Sequence, residues 1–212
     1  DVAMENVKEL LADAGAGLND VCKITTYLTD SDHRTQIDAV LAIHFRDIHP
    51  VVTTTVVNGL ARPELNFEID VFAMVPENKD EGHKRFRVGG PNFLPELDYP
   101  VSKAVRAGNF VFLQGQTGLE LDGSGLTGRG DPAAQADRAL QNVKILLEEA
   151  GAGMEDICKV TTYVTKQSDR ASIYPVIGRH LRGVNPSSTG IVMEALAHPD
   201  LDFEIDVFAA IP

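Results

Sequence analysis

The chain has 212 residues, room for one or two small domains, and carries a formal net charge of −12 with 43% apolar residues. That balance argues against a phosphate-binding surface, which needs clustered Lys and Arg, so no nucleic-acid partner is expected. No apolar run is long enough to span a bilayer, so no membrane partner is expected either. No signal peptide is visible, and the chain starts at Asp1 without a Met. Cys22 and Cys158 sit among strand-forming residues, where each is expected as a small buried side chain without a disulfide, in a reducing, cytoplasmic setting.

In chain order, residues 1–14 read as a helix with Ala3, Val7, Leu10, Leu11 and Ala14 on one stripe, ended by Gly15. A strand follows at 21–28. Ser31 or Asp32 then caps a second helix to about Arg46, with Ile37, Val40, Leu41, His44 and Phe45 inward and Pro50 ending it. Strands at 51–57 and 65–75 complete the unit. Residues 77–86 are polar and read as a linker. Residues 101–116 read as a hairpin turning at Gly108-Asn109, and a looser stretch leads to Gly130. From Asp131, with Pro132 in the first turn, the opening pattern returns: helix to Ala150, strand 157–164, helix 169–181, strands 187–194 and 201–211. Pro175 within the later helix predicts a kink or a displaced start.

The return is a duplication. Asn6 matches Asn142, Cys22 matches Cys158, Pro50 matches Pro186 and Pro76 matches Pro212, all at a spacing of 136 without a gap, and about half of the paired residues are identical. A period so long marks tandem domains rather than a solenoid. The division expected is a first domain at 1–76, the linker at 77–86 and a second, complete domain at 87–212. The first copy lacks the opening hairpin, so roughly 50 further residues upstream, or another segment of the assembly, are expected to cover that sheet edge.

Several separated words carry a family resemblance: Pro100-Val-Ser-Lys-Ala-Val, Gly108-Asn-Phe-Val-Phe-Leu-Gln-Gly-Gln, Gln141-Asn-Val-Lys, Cys158-Lys-Val-Thr-Thr-Tyr and Phe203-Glu-Ile-Asp-Val-Phe-Ala. In this the chain resembles the Rid/YjgF family. The resemblance implies an α+β chorismate-mutase-like fold, each domain a mixed β-sheet with two helices on one face. It also implies pseudo-trimeric or pseudo-hexameric homo-oligomers joined through the other sheet faces, with sites in the clefts between domains. Well-characterised members hydrolyse small imines and enamines, releasing ammonia without metal or cofactor.

The resemblance further implies a carboxylate-clamping arginine in a Pro-x-Arg-Ser word. Here those positions hold Val52 and Ser188, so the usual 2-imino acid is not the expected substrate. Counted the same way, the family's small polar residue falls on Thr54 and Gly190, its asparagine on Asp38 and Tyr174, and its tyrosine on Val101, with Tyr99 close by. Gly115 of the Gln-Gly-Gln word completes the substrate-binding candidates.

The residues themselves put Glu68 with Asp70, and Glu204 with Asp206, on one strand face roughly 6–7 Å apart. Crowded and buried at an interface, such a pair raises at least one pKa and supplies an acid to an imine and a base to water. The alternative is a pair satisfied by backbone amides or by Arg and Lys. Glu68 and Glu204 are the catalytic candidates. His44 and His180 read as helix-face residues, Arg62 or His198 as a substitute clamp only if its loop folds inward. No cluster has zinc spacing, so no metal and no cofactor are expected. The expected function is a Rid-type hydrolase of a small imine or enamine. A non-catalytic ligand-binding or assembly module is the alternative, and ribonuclease activity the third reading.

Overall fold

The structure, a computed structural model, describes residues 1–76, 82–89 and 101–212. In the first half, α1 (Val2–Asp13) and α2 (Arg34–Phe45) flank a three-stranded sheet ordered β2 (Val51–Val56), β1 (Val21–Leu28), β3 (Phe67–Ala73). β1 runs parallel to β2 and antiparallel to β3. Met4, Val7, Leu41 and Phe45 of the helices pack on Val21 and Ile24 of the strand, as a 3.6-residue period set on a 2-residue period requires. The stripe on α1 differs from the expected one: Leu10 is 68% exposed, and Met4 takes the buried position. The cap of the α2 region is Asp30 instead of Ser31 or Asp32, its carboxylate accepting from the Asp32 amide before a 3₁₀ turn at Ser31–His33.

The second half builds a larger sheet. β4 (Lys84–Phe86), β5 (Ala104–Ala107), β6 (Phe110–Leu113), β10 (Phe203–Ala210), β8 (Ile157–Val164) and β9 (Ser187–Val192) lie in that order, with β7 (Gln116–Thr117) also paired to β10. The segment expected as a linker therefore includes a strand, because Lys84–Phe86 pairs with β5. Gly108, at φ 57°, makes the hairpin turn expected at Gly108-Asn109. Asp131 caps α3 (Pro132–Glu149), accepting from the Ala133 and Ala134 amides with Pro132 in the first turn. α4 (Arg170–His180) starts one residue after the expected position and carries Pro175 within it. Ala136, Leu140, Val143, Leu146 and Leu147 of α3 bury against Val111, Val160, Phe203, Ile205 and Val207 of the sheet.

The two sheets meet by the faces that carry no helices. Cys22 and Val51 of the first half pack with Val105, Ala107 and Phe112 of the second. Phe72, Phe112 and Phe208 close the contact, with Phe208 lying 5.0 Å from Phe72 and 5.3 Å from Phe112 in edge-on geometry. A bridge between Val56 and Ala195 ties the far end. The seam separates the two cysteines: Cys22 is buried in it, whereas Cys158, expected to be buried, is exposed, and both are free thiols. Among the described residues no helix is long and apolar enough to cross a membrane.

Candidate functional site

Strand parity builds the site. Phe203, Ile205 and Val207 of β10 enter the helix-side core, which sends Glu204 and Asp206 to the opposite face, towards the first half. On β1 a register shift between Val21 and Lys23 turns both Cys22 and Lys23 to that same seam. Lys23, 1% exposed, spends its three protons there. It donates to Thr53 Oγ1 at 2.9 Å, to the Leu113 carbonyl at 3.2 Å and to Asp206 Oδ1 at 3.1 Å. Thr53 in turn donates to Asp206 Oδ1 at 2.6 Å and accepts from the Gly115 amide at 3.2 Å. Tyr163 OH reaches Asp206 Oδ2 at 3.4 Å. A buried pair so fully hydrogen-bonded holds the halves in one register, and removing either partner costs about 3–5 kcal/mol.

Glu204 lies two residues from Asp206 on the same face and is only 4% exposed. Its carboxyl occupies the place a side chain at position 115 would take: a Cβ on Gly115 would stand 1.7 Å from Glu204 Oε1. Glu204 Oε2 is buried without a hydrogen-bond partner. Burial first, and then the Asp206 charge, push this carboxyl up to about 8, against smaller opposing pulls from Lys23 and Arg34. Near neutral pH it is a protonated acid in a low-dielectric seam. A cavity of about 330 Å³ borders the same backbone at Gly115, Gln116 and Thr117, with Lys103, Glu120 and Arg129 among its walls.

The other expected site residues divide by face. Glu68 and Asp70 share a face as expected but are exposed, and Asp70 accepts from Tyr27 OH at 3.1 Å. Val52 packs into the helix-side core of the first half, so the residue of β2 that points into the seam is Thr53. Thr54 is buried, accepting from Thr26 Oγ1 at 2.9 Å. Asp38, buried on α2, pairs with Arg34 at 3.4 Å, and its carboxyl is raised mainly by burial. Ser188 is exposed on β9. Tyr174 is exposed on α4, its hydroxyl accepting from Arg170 Nε at 2.6 Å. Val101, at the family's tyrosine position, is buried in the core of the first half. Tyr99 lies outside the described residues. Arg62 pairs with Glu64 at an exposed site, away from any clamp position. His180 bonds Asp137 at 2.8 Å, a helix-face role. Among the described residues no group of His, Cys, Asp and Glu could hold a metal ion.

Sequence reading missed Lys23 and Thr53. The available signal for Lys23 was a lysine inside an otherwise strand-forming run, Val21-Cys22-Lys23-Ile24. For Thr53 it was the pleat of β2, which alternates Val51 and Thr53 with Val52 and Thr54.

The fold and seam define a duplicated α+β protein that presents a buried acid between two sheets. Residues 1–75 and 95–211 both match the endoribonuclease L-PSP family model, and the chain belongs to that family. A RutC family protein of Pyrococcus abyssi is 32% identical over 110 residues, which is 52% of this chain and 85% of the relative. A protein of Dermatophagoides farinae named 2-iminobutanoate/2-iminopropanoate deaminase is 29% identical over 105 residues, 50% of this chain and 81% of the relative. A crystal structure of a YjgF/YER057c/UK114 family member from Mycobacterium tuberculosis superposes with TM-score 0.52 at 28% identity, covering 61% of this chain and 100% of that one. Each relative thus corresponds to little more than half of the molecule, as a tandem arrangement requires.

Proposed function

We propose that the protein is a Rid-type deaminase that hydrolyses a small imine or enamine, with Glu204 as acid and base in the seam between its halves. The observation that carries this reading is the buried Glu204 carboxyl, whose Oε2 has no hydrogen-bond partner and which is raised to about 8 beside Asp206. The name of the Dermatophagoides relative points the same way. The neutral acid protonates the imine nitrogen, or the enamine carbon. The resulting carboxylate then takes a proton from water as its oxygen attacks the C=N carbon, giving a carbinolamine. Return of that proton to nitrogen expels ammonia, and the carbinol hydroxyl proton passes back to the Glu204 carboxylate as the carbonyl forms, so that C=NH and H₂O become C=O and NH₃ with the acid regenerated. Glu204→Gln keeps the shape and removes the proton, and should lower ammonia release from freshly generated imines by about 100-fold or more. Glu68→Gln should leave the rate within about twofold. Equal rates in Glu204→Gln and the parent protein overturn the assignment.

The same reading includes a homo-oligomer joined through sheet faces. Its support is that Cys22, Lys23, Thr53, Glu204 and Asp206 of the seam each have an identical twin 136 positions away, and these twins are exposed: Cys158, Lys159 and Thr189 on the second half, Glu68 and Asp70 on the first. They form an unused copy of the Lys23–Thr53–Asp206 contact, ready to engage further domains of the same kind.

A further inference from the structure

The donors around Glu204 are already spent. The Gly115 amide donates to Thr53, and Lys23 serves Thr53, Leu113 and Asp206. Tyr163 OH is given to Asp206, while Arg34 bonds the Ala197 carbonyl through Nη1 and Asp38 through Nε. A carboxylate entering this seam stands beside the Asp206 carboxylate and must rely on the O–H of a neutral Glu204. Of the cations in the adjoining cavity wall, Lys103 and Arg129, Arg129 is paired with Asp200. Among the described residues the seam N–H and O–H groups named above are engaged elsewhere. Asp206 is matched by Lys23. What the seam offers instead is an acceptor: Glu204 Oε2, buried and without a partner.

We propose that this seam takes a small nitrogen cation, an iminium or amidinium that donates N–H to Glu204, and rejects carboxylates. The inference rests on Glu204 being the working group of the proposed deaminase and names its substrate class: a protonated C=N compound without a neighbouring carboxylate. The reaction that supplies such a substrate is the two-electron oxidation of an amine that bears no α-carboxylate. Binding has a proton balance. A ligand that arrives already protonated, such as an amidinium, displaces the Glu204 proton to solvent, whereas a neutral imine takes that same proton as it binds. Either way the bound pair is a nitrogen cation beside a carboxylate. The charged and titratable groups facing it are Asp206 on its own strand, Lys23 on β1, Arg34 on α2 and Tyr163 on β8.

Calorimetric titration of the full chain with acetamidinium at pH 7, in phosphate and in Tris, tests this. Expected is saturable binding whose heat differs between the buffers by the equivalent of about one proton released per ligand. Glu204→Gln should abolish the buffer dependence, Glu68→Gln should leave it, and 2-oxobutanoate should not compete. Absence of acetamidinium binding, binding without proton release in the parent protein, or competition by 2-oxobutanoate overturns the inference. The two readings separate cleanly. Proton-releasing acetamidinium binding without hydrolysis of any imine removes the deaminase and keeps the ligand class. Ammonia release from 2-iminobutanoate without acetamidinium binding does the reverse.

Discussion

Glu204 prefers its neutral form when folded, and this gives stability a definite slope with pH. Its folded value of about 8 stands above the ordinary 4.5, so between those limits the folded chain holds a proton that the unfolded chain has lost. Stability contributed by this group therefore falls as pH rises from about 4.5 to about 8, by up to about 1.4 kcal/mol per pH unit. Denaturant unfolding at a series of pH values should show Glu204→Gln flattening that slope and being the more stable protein at pH 9. A parallel curve for the variant would contradict a neutral Glu204. The alternation Phe203-Glu204-Ile205-Asp206 made the acidic pair legible in the sequence. Its partner was not, because counting from Pro50 put the clamp position at Val52, whereas the pleat of β2 aims Thr53. Contacts such as Lys23 with Asp206 join residues 183 positions apart, and no local pattern encodes them.

At the scale of elements, the duplication separates what a helix carries from what its sheet provides. Leu10 and Leu146 are twins on equivalent helices, yet Leu10 is 68% exposed and Leu146 is fully buried. α1 lies on a three-stranded sheet, while α3 lies on the wider sheet that includes β5 and β6. Leu146→Ala should cost about 2–5 kcal/mol in unfolding free energy, through lost burial and the cavity left behind. Leu10→Ala should stay within about 0.5 kcal/mol. Equal losses at both sites would mean that Leu10 is covered in solution. Helix and strand order were readable from period alone, and most boundaries fell within two residues. The stripe on α1 was misread because 3.6-residue periodicity allows neighbouring stripes, and the choice between Met4 and Leu10 belongs to the sheet beneath.

For the whole molecule, the repeat was the strongest signal, since a gap-free match at one spacing needs no structural knowledge to detect. It could not say which face of each copy the other would cover. The structure spends the Lys23 face of the first half on the Asp206 face of the second, and leaves Lys159 and Asp70 exposed. If those twins join chains, Lys159→Asp should shift the mass measured by light scattering down to a single chain. Adding Asp70→Lys should restore the larger species. Retention of the parent mass by Lys159→Asp would rule out this surface as the joint. Because Lys159 is exposed, the fold of the single chain should be unchanged.

Joining two copies in one polypeptide also makes their contact a first-order matter. The Glu204 cleft forms between segments that cannot drift apart, so its occupancy is independent of protein concentration. Any cleft built from Glu68 and a neighbouring molecule obeys mass action and empties on dilution. A contact within one chain is thereby always assembled, whereas a contact between chains answers to abundance.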